Sequence, residues 1–399
     1  MEATLERPQE TAEPAAVAVT VETRALKGAL DRLAKLVPVR PATPLYAHLA
    51  LAPRPGALVL AGTNGERDLE LTIAADATHG PTRLVPAAPL AQVVRTLDAK
   101  TVTLELEGET LVLTAGRFAT RLHLAPDGEA LPLDFTADPL LALPAADLAA
   151  VLEPVAYATS SDAQRAVFTG VQLELHPERL RGVASDGFRL ALAERPLAED
   201  AEVLAPLPAA GAEDEEESRE PGPLALVVPK PAVVELLGIL RGVEGTVRLH
   251  RRGGRLVLRA KRVKYAAALL EGVYPDYARV IPAEAPHVAG FDVRPLREAL
   301  RRTAVMSDLA SRRVDLTFEE ERLRLVSEGD YGRGEEVLEG IDYEGEPLTL
   351  ALNATYLEEA LSAVPRRARL ELAGPTAPLA VRDAEAPDGY LAVVVPLRV

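Results

Sequence analysis

Residues able to carry acid–base, metal or nucleophilic chemistry are few and dispersed in this chain of 399 residues. It has no cysteine, so thiolate zinc sites, disulfides and a thiol nucleophile are excluded. Its histidines, His48, His79, His123, His176, His250 and His287, lack the short spacings of metal ligands and read as surface or structural residues. The phosphate loop, nucleophile elbow, zincin and dinucleotide fingerprints are all missing. GDYGRG at 329–334 reads as a strand bend, and the pairs Glu358–Glu359 and Glu319–Glu320 as solvated faces or turns. Asn353-Ala354-Thr355 matches a glycosylation acceptor but fits a helix N-cap better. The expectation is a non-enzymatic protein without metal or cofactor.

What remains is the distribution of charge. The net charge is −16, which by default repels nucleic acid and membrane surfaces alike. Yet basic residues gather on two expected helices: Arg24, Lys27, Arg32 and Lys35 against Asp31 over 24–35, and Arg294, Arg297, Arg301 and Arg302 against Glu298 over 294–303. A solvated face explains such a pattern without naming a ligand.

The elements that carry these side chains follow from a repeat. An apolar residue followed by apolar positions at +5 and +9 occurs at Val21/Leu26/Leu30, Val85/Leu90/Val94, Leu143/Leu148/Leu152, Val228/Val233/Leu237, Phe291/Leu296/Leu300 and Leu352/Leu357/Leu361. The starts are 64, 58, 85, 63 and 61 residues apart. The long interval contains an acidic Pro/Ala/Glu tract at about 199–222, which reads as a disordered insertion. Pro86, Pro144, Pro229 and Pro295 stand where helices begin, at 87–98, 145–157, 230–241 and 294–303. Between the helices, alternating runs at 57–73, 101–116, 180–194, 245–260, 314–329 and 368–383, several bent at Asn-Gly, Asp-Gly or Gly-Gly, predict antiparallel hairpins.

One helix on a few strands is marginal alone, whereas two such units make a domain with helices on one sheet face. Six units imply an α+β chain of three similar domains, at 18–137, 138–285 and 286–399, after a disordered extension at 1–17. The acidic, proline-containing start is not a secretory signal, and no apolar run is long enough to span a membrane. An intracellular, cytoplasmic protein is expected.

Several segments resemble the bacterial DNA polymerase III beta subunit, the sliding clamp family. They are VRPATPLYAHLAL (39–51), SSDAQRAVFTG (160–170), VASDGFRLA (183–191), EGVYPDYARVIP (271–282), LNATYLEEAL (352–361) and VVVPLRV (393–399). The resemblance implies a homodimer closed head to tail into a ring, helices lining the hole, around double-stranded DNA of any sequence. It also implies a pocket for peptides of the DNA polymerase III alpha subunit, the clamp loader, other polymerases and mismatch-repair factors.

Carried over by motif, the DNA-facing residues are Arg24, Lys27, Arg40, Arg165 and Lys230; Arg294, Arg297 and Arg301 are added from charge. The pocket residues are Phe168, Ser185, Gly187, Phe188, Arg189, Leu190, Pro275, Arg279, Val280, Ser311, Asn353, Tyr356, Pro378, Val393, Val394, Val395, Pro396, Leu397 and Arg398. In this reading Asp186-Gly187 turns the chain to present Leu190, and Arg189, Arg279 and Arg398 grip the peptide. Phe188 and Ser311 depart from the family, which often has histidine and an aromatic there. Val93 and Leu97 are expected to meet Val305 and Met306 of a second copy, the alternative being that they pack within their own domains.

Two readings of other classes lead elsewhere. An enzyme with an unrecognised site would gather polar residues of perturbed titration deep in one pocket. A peptide-binding scaffold unrelated to DNA would keep the pocket and lack the ring.

Overall fold

The structure, a computed structural model, describes residues 17–199, 201–204 and 224–398. Six helices lie where the apolar repeat places them: α1 (Thr23–Leu36), α2 (Ala87–Arg95), α3 (Ala145–Leu152), α4 (Lys230–Leu240), α5 (Val293–Thr303) and α6 (Ala354–Ser362). All eighteen repeat positions are buried, from fully enclosed Leu26, Leu90 and Leu357 to Leu237 at 7% exposure. At about 25 cal/mol per Å² of apolar surface, such a stripe is what holds each short helix to its sheet.

Pro86, Pro144 and Pro229 are the capping residues just before α2, α3 and α4, while Pro295 is the third residue of α5. In each place the missing N–H costs no helical hydrogen bond. Helix α3 is shorter than the expected 145–157: it ends at Leu152, and Pro154 cannot continue the helical hydrogen-bond ladder. Helix α2 likewise stops at Arg95, where Thr96 turns its hydroxyl back onto the Val93 carbonyl at 2.8 Å.

The chain forms two compact units. The first comprises 17–136 together with 257–266. Here strand Val17–Glu22 is paired on both sides, with Arg67–Ala77 and Thr101–Glu107. The hairpins at 57–73 and 101–116 form in register, for example Leu60 opposite Leu71 and Leu104 opposite Leu113. Helices α1 and α2 pack on one another, and Leu26, Leu30, Leu33, Leu90 and Val94 on them are buried.

The second unit comprises 137–256 and 267–398, with α3 beside α4 and α5 beside α6. Its nine-stranded sheet runs Leu224–Pro229, Gly170–Leu175, Arg179–Ser185, Arg189–Pro196, Tyr390–Val394, Leu379–Asp383, Arg367–Leu372, His287–Asp292 and Asp342–Glu344. The central join pairs Leu190 with Val393 and Leu192 with Leu391, so residues two hundred positions apart become neighbours. A four-stranded sheet carries the GDYGRG bend between Arg322–Gly329 and Gly332–Glu339, as expected.

Within the tract expected to be disordered, Glu202–Val203 form a short strand against Asp138–Pro144. Residues 200 and 205–223, and the expected extension up to residue 16, lie outside the described residues; Val17 already belongs to a strand. Among the described residues, no helix is long and apolar enough to cross a membrane.

Candidate functional site

The second unit contains a small, half-open apolar cavity of about 130 Å³. Phe168, Ser185, Gly187, Arg189, Leu190, Pro275, Val280, Val393 and Val395 line it, all expected pocket residues. Three further lining residues, Tyr274, Asp276 and Tyr277, were missed. The signal was present: two tyrosines three residues apart bracket Pro275-Asp276 in the recognised EGVYPDYARVIP segment. Behind the cavity, Val183, Leu190, Val227, Leu391 and Val393 form a buried cluster on which Phe168, Leu270 and Tyr277 pack.

One wall is the turn at 185–189. Gly187 has φ +89°, a conformation that favours glycine. The Asp186 carboxylate accepts from the Phe188 and Arg189 amides at 2.9 and 3.0 Å. Ser185 Oγ accepts from the Gly187 amide at 3.1 Å and donates to the Arg189 carbonyl at 2.7 Å. The turn thus sends Leu190, 2% exposed, into the floor, as expected. Phe188 stands on the lip, 60% exposed, and its carbonyl accepts from the Val395 amide at 3.0 Å.

Arg189, expected to grip a peptide, already has partners inside the protein. Its side chain is only 10% exposed and its guanidinium is committed within the protein: Nε to Asp186 at 3.0 Å, Nη2 to the Tyr157 carbonyl at 3.0 Å, and Nη1 to Glu359. The rings of Tyr356 and Tyr157 cover it at 4.4 and 5.3 Å. Arg189 thus helps to build the cavity wall. Arg279 is exposed and held to Asp276 at 3.0 Å, a pairing of little worth in solvent.

The other expected pocket residues stand outside the lining. Asn353 caps α6, its Oδ1 accepting from the Thr355 and Tyr356 amides at 2.9 and 3.2 Å. Ser311 accepts from the Arg313 amide at 3.4 Å. Val394 and Pro396 are buried, Pro378 is half-buried beside the strand Leu379–Asp383, and Arg398 is exposed. Leu397 is tied by its amide to the Ala351 carbonyl at 2.8 Å.

Burial pushes the phenols of Tyr157, Tyr274 and Tyr390 well above their usual range, and burial with the Glu174 carboxylate pushes Tyr277 up to about 12. Acids that weak hold their protons near neutrality, and the hydroxyls of Tyr157, Tyr277 and Tyr390 serve as neutral hydrogen-bonding groups. Among the described residues, no group of three or more His, Asp or Glu could hold a metal ion.

The basic positions divide in two. Arg24, Arg40 and Lys230 are exposed. The others are engaged: Lys27 donates to the Leu97 carbonyl at 2.6 Å, Arg294 to Glu298 at 2.9 Å, and Arg297 and Arg301 both to Glu358, at 2.7 and 2.6 Å. Burial pushes the Glu358 carboxyl up, but the two guanidiniums outweigh it and hold it below the usual range. Arg165, expected to face DNA, donates to the Asp186 carbonyl at 2.7 Å and lies 4.4 Å over the Phe168 ring. It braces two parts of the cavity wall, the 185–189 turn and Phe168, from outside the lining. Of the expected subunit contacts, Leu97 is 6% exposed and packs within its own unit, Val93 and Met306 are half-buried, and Val305 is 66% exposed.

Repeated helix-on-sheet units with a small apolar cavity define a binding protein built on an internally duplicated scaffold. Models of the DNA polymerase III beta subunit match it consecutively: the N-terminal domain at 17–129, the central domain at 142–276 and the C-terminal domain at 278–398. The beta sliding clamp of Escherichia coli K12 is 26% identical over 386 residues, covering 95% of this chain and 99% of that protein. That of Synechococcus elongatus is 30% identical over 349 residues, covering 85% and 88%. The crystal structure of the beta subunit from Thermotoga maritima superposes with a TM-score of 0.82 at 27% identity, covering 96% of this chain and all of that one. The chain belongs to the DNA polymerase III beta subunit family, whose members are replicative sliding clamps and not enzymes.

Proposed function

We propose that two copies of this chain close head to tail into a ring around duplex DNA, and that the cavity of the second unit docks short peptides of the polymerase, clamp loader and repair factors. The domains run 18–137, 138–285 and 286–399, each contributing two helices to the inner wall. The ring acts in the cytoplasm on the chromosome.

A closed ring is retained by being threaded, so it needs only weak, sequence-blind phosphate contacts. That reconciles a net charge of −16 with service on DNA. Exposed Arg24, Arg40 and Lys230 supply free positive charge, Lys27 adds a half-buried charge held on the Leu97 carbonyl, and Arg294, Arg297 and Arg301 soften the field of Glu298 and Glu358. The subunit joint uses Val93 and the exposed apolar end around Val305 and Met306.

The observation that carries the peptide reading is the cavity, whose lining is apolar with a few polar groups at its edge. Val395 lines it and residues 396–398 continue beside it. Deleting 395–399 is expected to abolish capture of peptides copied from the polymerase alpha subunit while dimer mass is kept. Unchanged peptide affinity would remove the assignment.

A further inference from the structure

The sheet of the second unit is covered on both faces. Gly182 lies against α3, where a Cβ would come 2.1 Å from the Val151 carbonyl oxygen, so its neighbours Arg181 and Val183 project from the opposite face. That second face has two halves. One is the apolar cluster of Val183, Leu190, Val227 and Val393 beneath the cavity. The other is polar and enclosed, centred on Glu174, which is 4% exposed.

Tyr277 spans the boundary. Its ring packs on the apolar cluster and lines the cavity, while its hydroxyl donates to Glu174 at 2.9 Å. The same hydroxyl accepts from Arg181 Nη1 at 2.8 Å. Glu174 also accepts from Gln172 at 2.6 Å and lies within 3.2 Å of His176 Nε2 and 3.4 Å of Arg181 Nη1. Arg181 is fixed in turn by Glu194, at 2.7 Å from its Nε. An enclosed carboxylate is tolerated only with such a set of donors, and these in turn fix where the phenol can stand.

We propose that Glu174 and Arg181 are positioning residues for ligand binding: they clamp the Tyr277 hydroxyl and so hold segment 276–281 as the cavity's outer wall. The inference rests on the cavity being a peptide site. The wall's other polar contacts are local, Asp276 with Arg279 and the Ala278 and Ile281 amides within the turn, so apart from the packing of Ile281 and the Tyr277 ring on the apolar cluster the Tyr277 hydroxyl is its polar tie to the sheet. Without the clamp the ring keeps its apolar character but loses its fixed place, and a bound peptide must restore that order at its own expense.

The test uses the full-length protein and a fluorescein-labelled peptide copied from the alpha subunit, at a temperature where every variant is folded. Tyr277→Phe keeps the ring and removes the hydroxyl; it is expected to weaken binding about tenfold, the scale of one hydrogen bond to a charged group. Glu174→Gln, which keeps an acceptor, should fall between wild type and Tyr277→Phe, and the double variant should be no worse than Tyr277→Phe alone. Amide hydrogen exchange without ligand should speed up across 276–281 in Tyr277→Phe while 170–175 stays protected. Wild-type affinity in both variants, additive losses, or unchanged exchange across 276–281 overturns the proposal. If the wild-type chain captures no peptide, the pocket assignment fails by itself, and the ligand-free exchange still decides the clamp.

Discussion

Arg165 occupies the space a side chain at Gly187 would need: a Cβ there would lie 2.5 Å from Arg165 Nη2. The same guanidinium donates to the Asp186 carbonyl at 2.7 Å, so glycine and arginine are fitted to each other across the turn that forms the cavity wall. Gly187→Ala therefore meets both a positive φ of +89° and a filled space. It is expected to cost about 1–3 kcal/mol of stability, read from denaturant unfolding, and to weaken peptide binding by displacing Arg165. An alanine variant as stable as wild type would show that the turn relaxes freely.

Arg189 should behave as a structural cation. Its removal leaves Asp186, 13% exposed, without its charged partner, whereas Glu359, 36% exposed, can be re-solvated. Arg189→Ala should lose about 2–4 kcal/mol, somewhat below the usual cost of halving a fully buried pair. Arg189→Lys should recover little, because an ammonium cannot satisfy three directions while lying flat against two rings. Urea unfolding of the three proteins checks both; full recovery by lysine would contradict the planar sandwich.

Glu358 links α6 to α5 and predicts part of the acid limb of stability. Its folded pKa is depressed below the 4.5 of a free glutamate, so its contribution is present above that value and is lost as pH falls through the folded pKa. Glu358→Gln should be less stable than wild type at pH 7, and the difference should close as pH falls below 4.5. Unfolding midpoints of the two proteins from pH 7 to pH 3 measure this. A gap that persists at the acid end would assign the loss to packing and not to the ion pairs with Arg297 and Arg301.

The fold was largely legible in the sequence because local rules and burial agree. Leu296 and Leu300 at one helical face, Pro229 before α4, Asn353 capping α6 and the Asp186-Gly187 turn each have one inexpensive conformation, and each adopts it. The site was legible in outline and not in roles. Arg189 reads as a ligand-gripping cation until Tyr157, Tyr356 and Glu359, from distant positions, close around it. Arg297 and Arg301 read as a basic helix face because Glu358 is on another helix 57 to 61 residues away. Tyr277 was overlooked for a similar reason: its partners Glu174 and Arg181 lie about a hundred residues upstream and meet it only once the sheet is built. Sequence pattern reports which face a residue takes, but not which neighbour from far along the chain will neutralise it.

Retention by threading is tested by loading labelled protein onto nicked circular DNA with its clamp loader and then cutting the circle. A threaded ring is expected to stay on the closed circle through gel filtration in elevated salt, which strips ordinary phosphate contacts, and to run off once the DNA is linear. Equal loss from circular and linear DNA would contradict it.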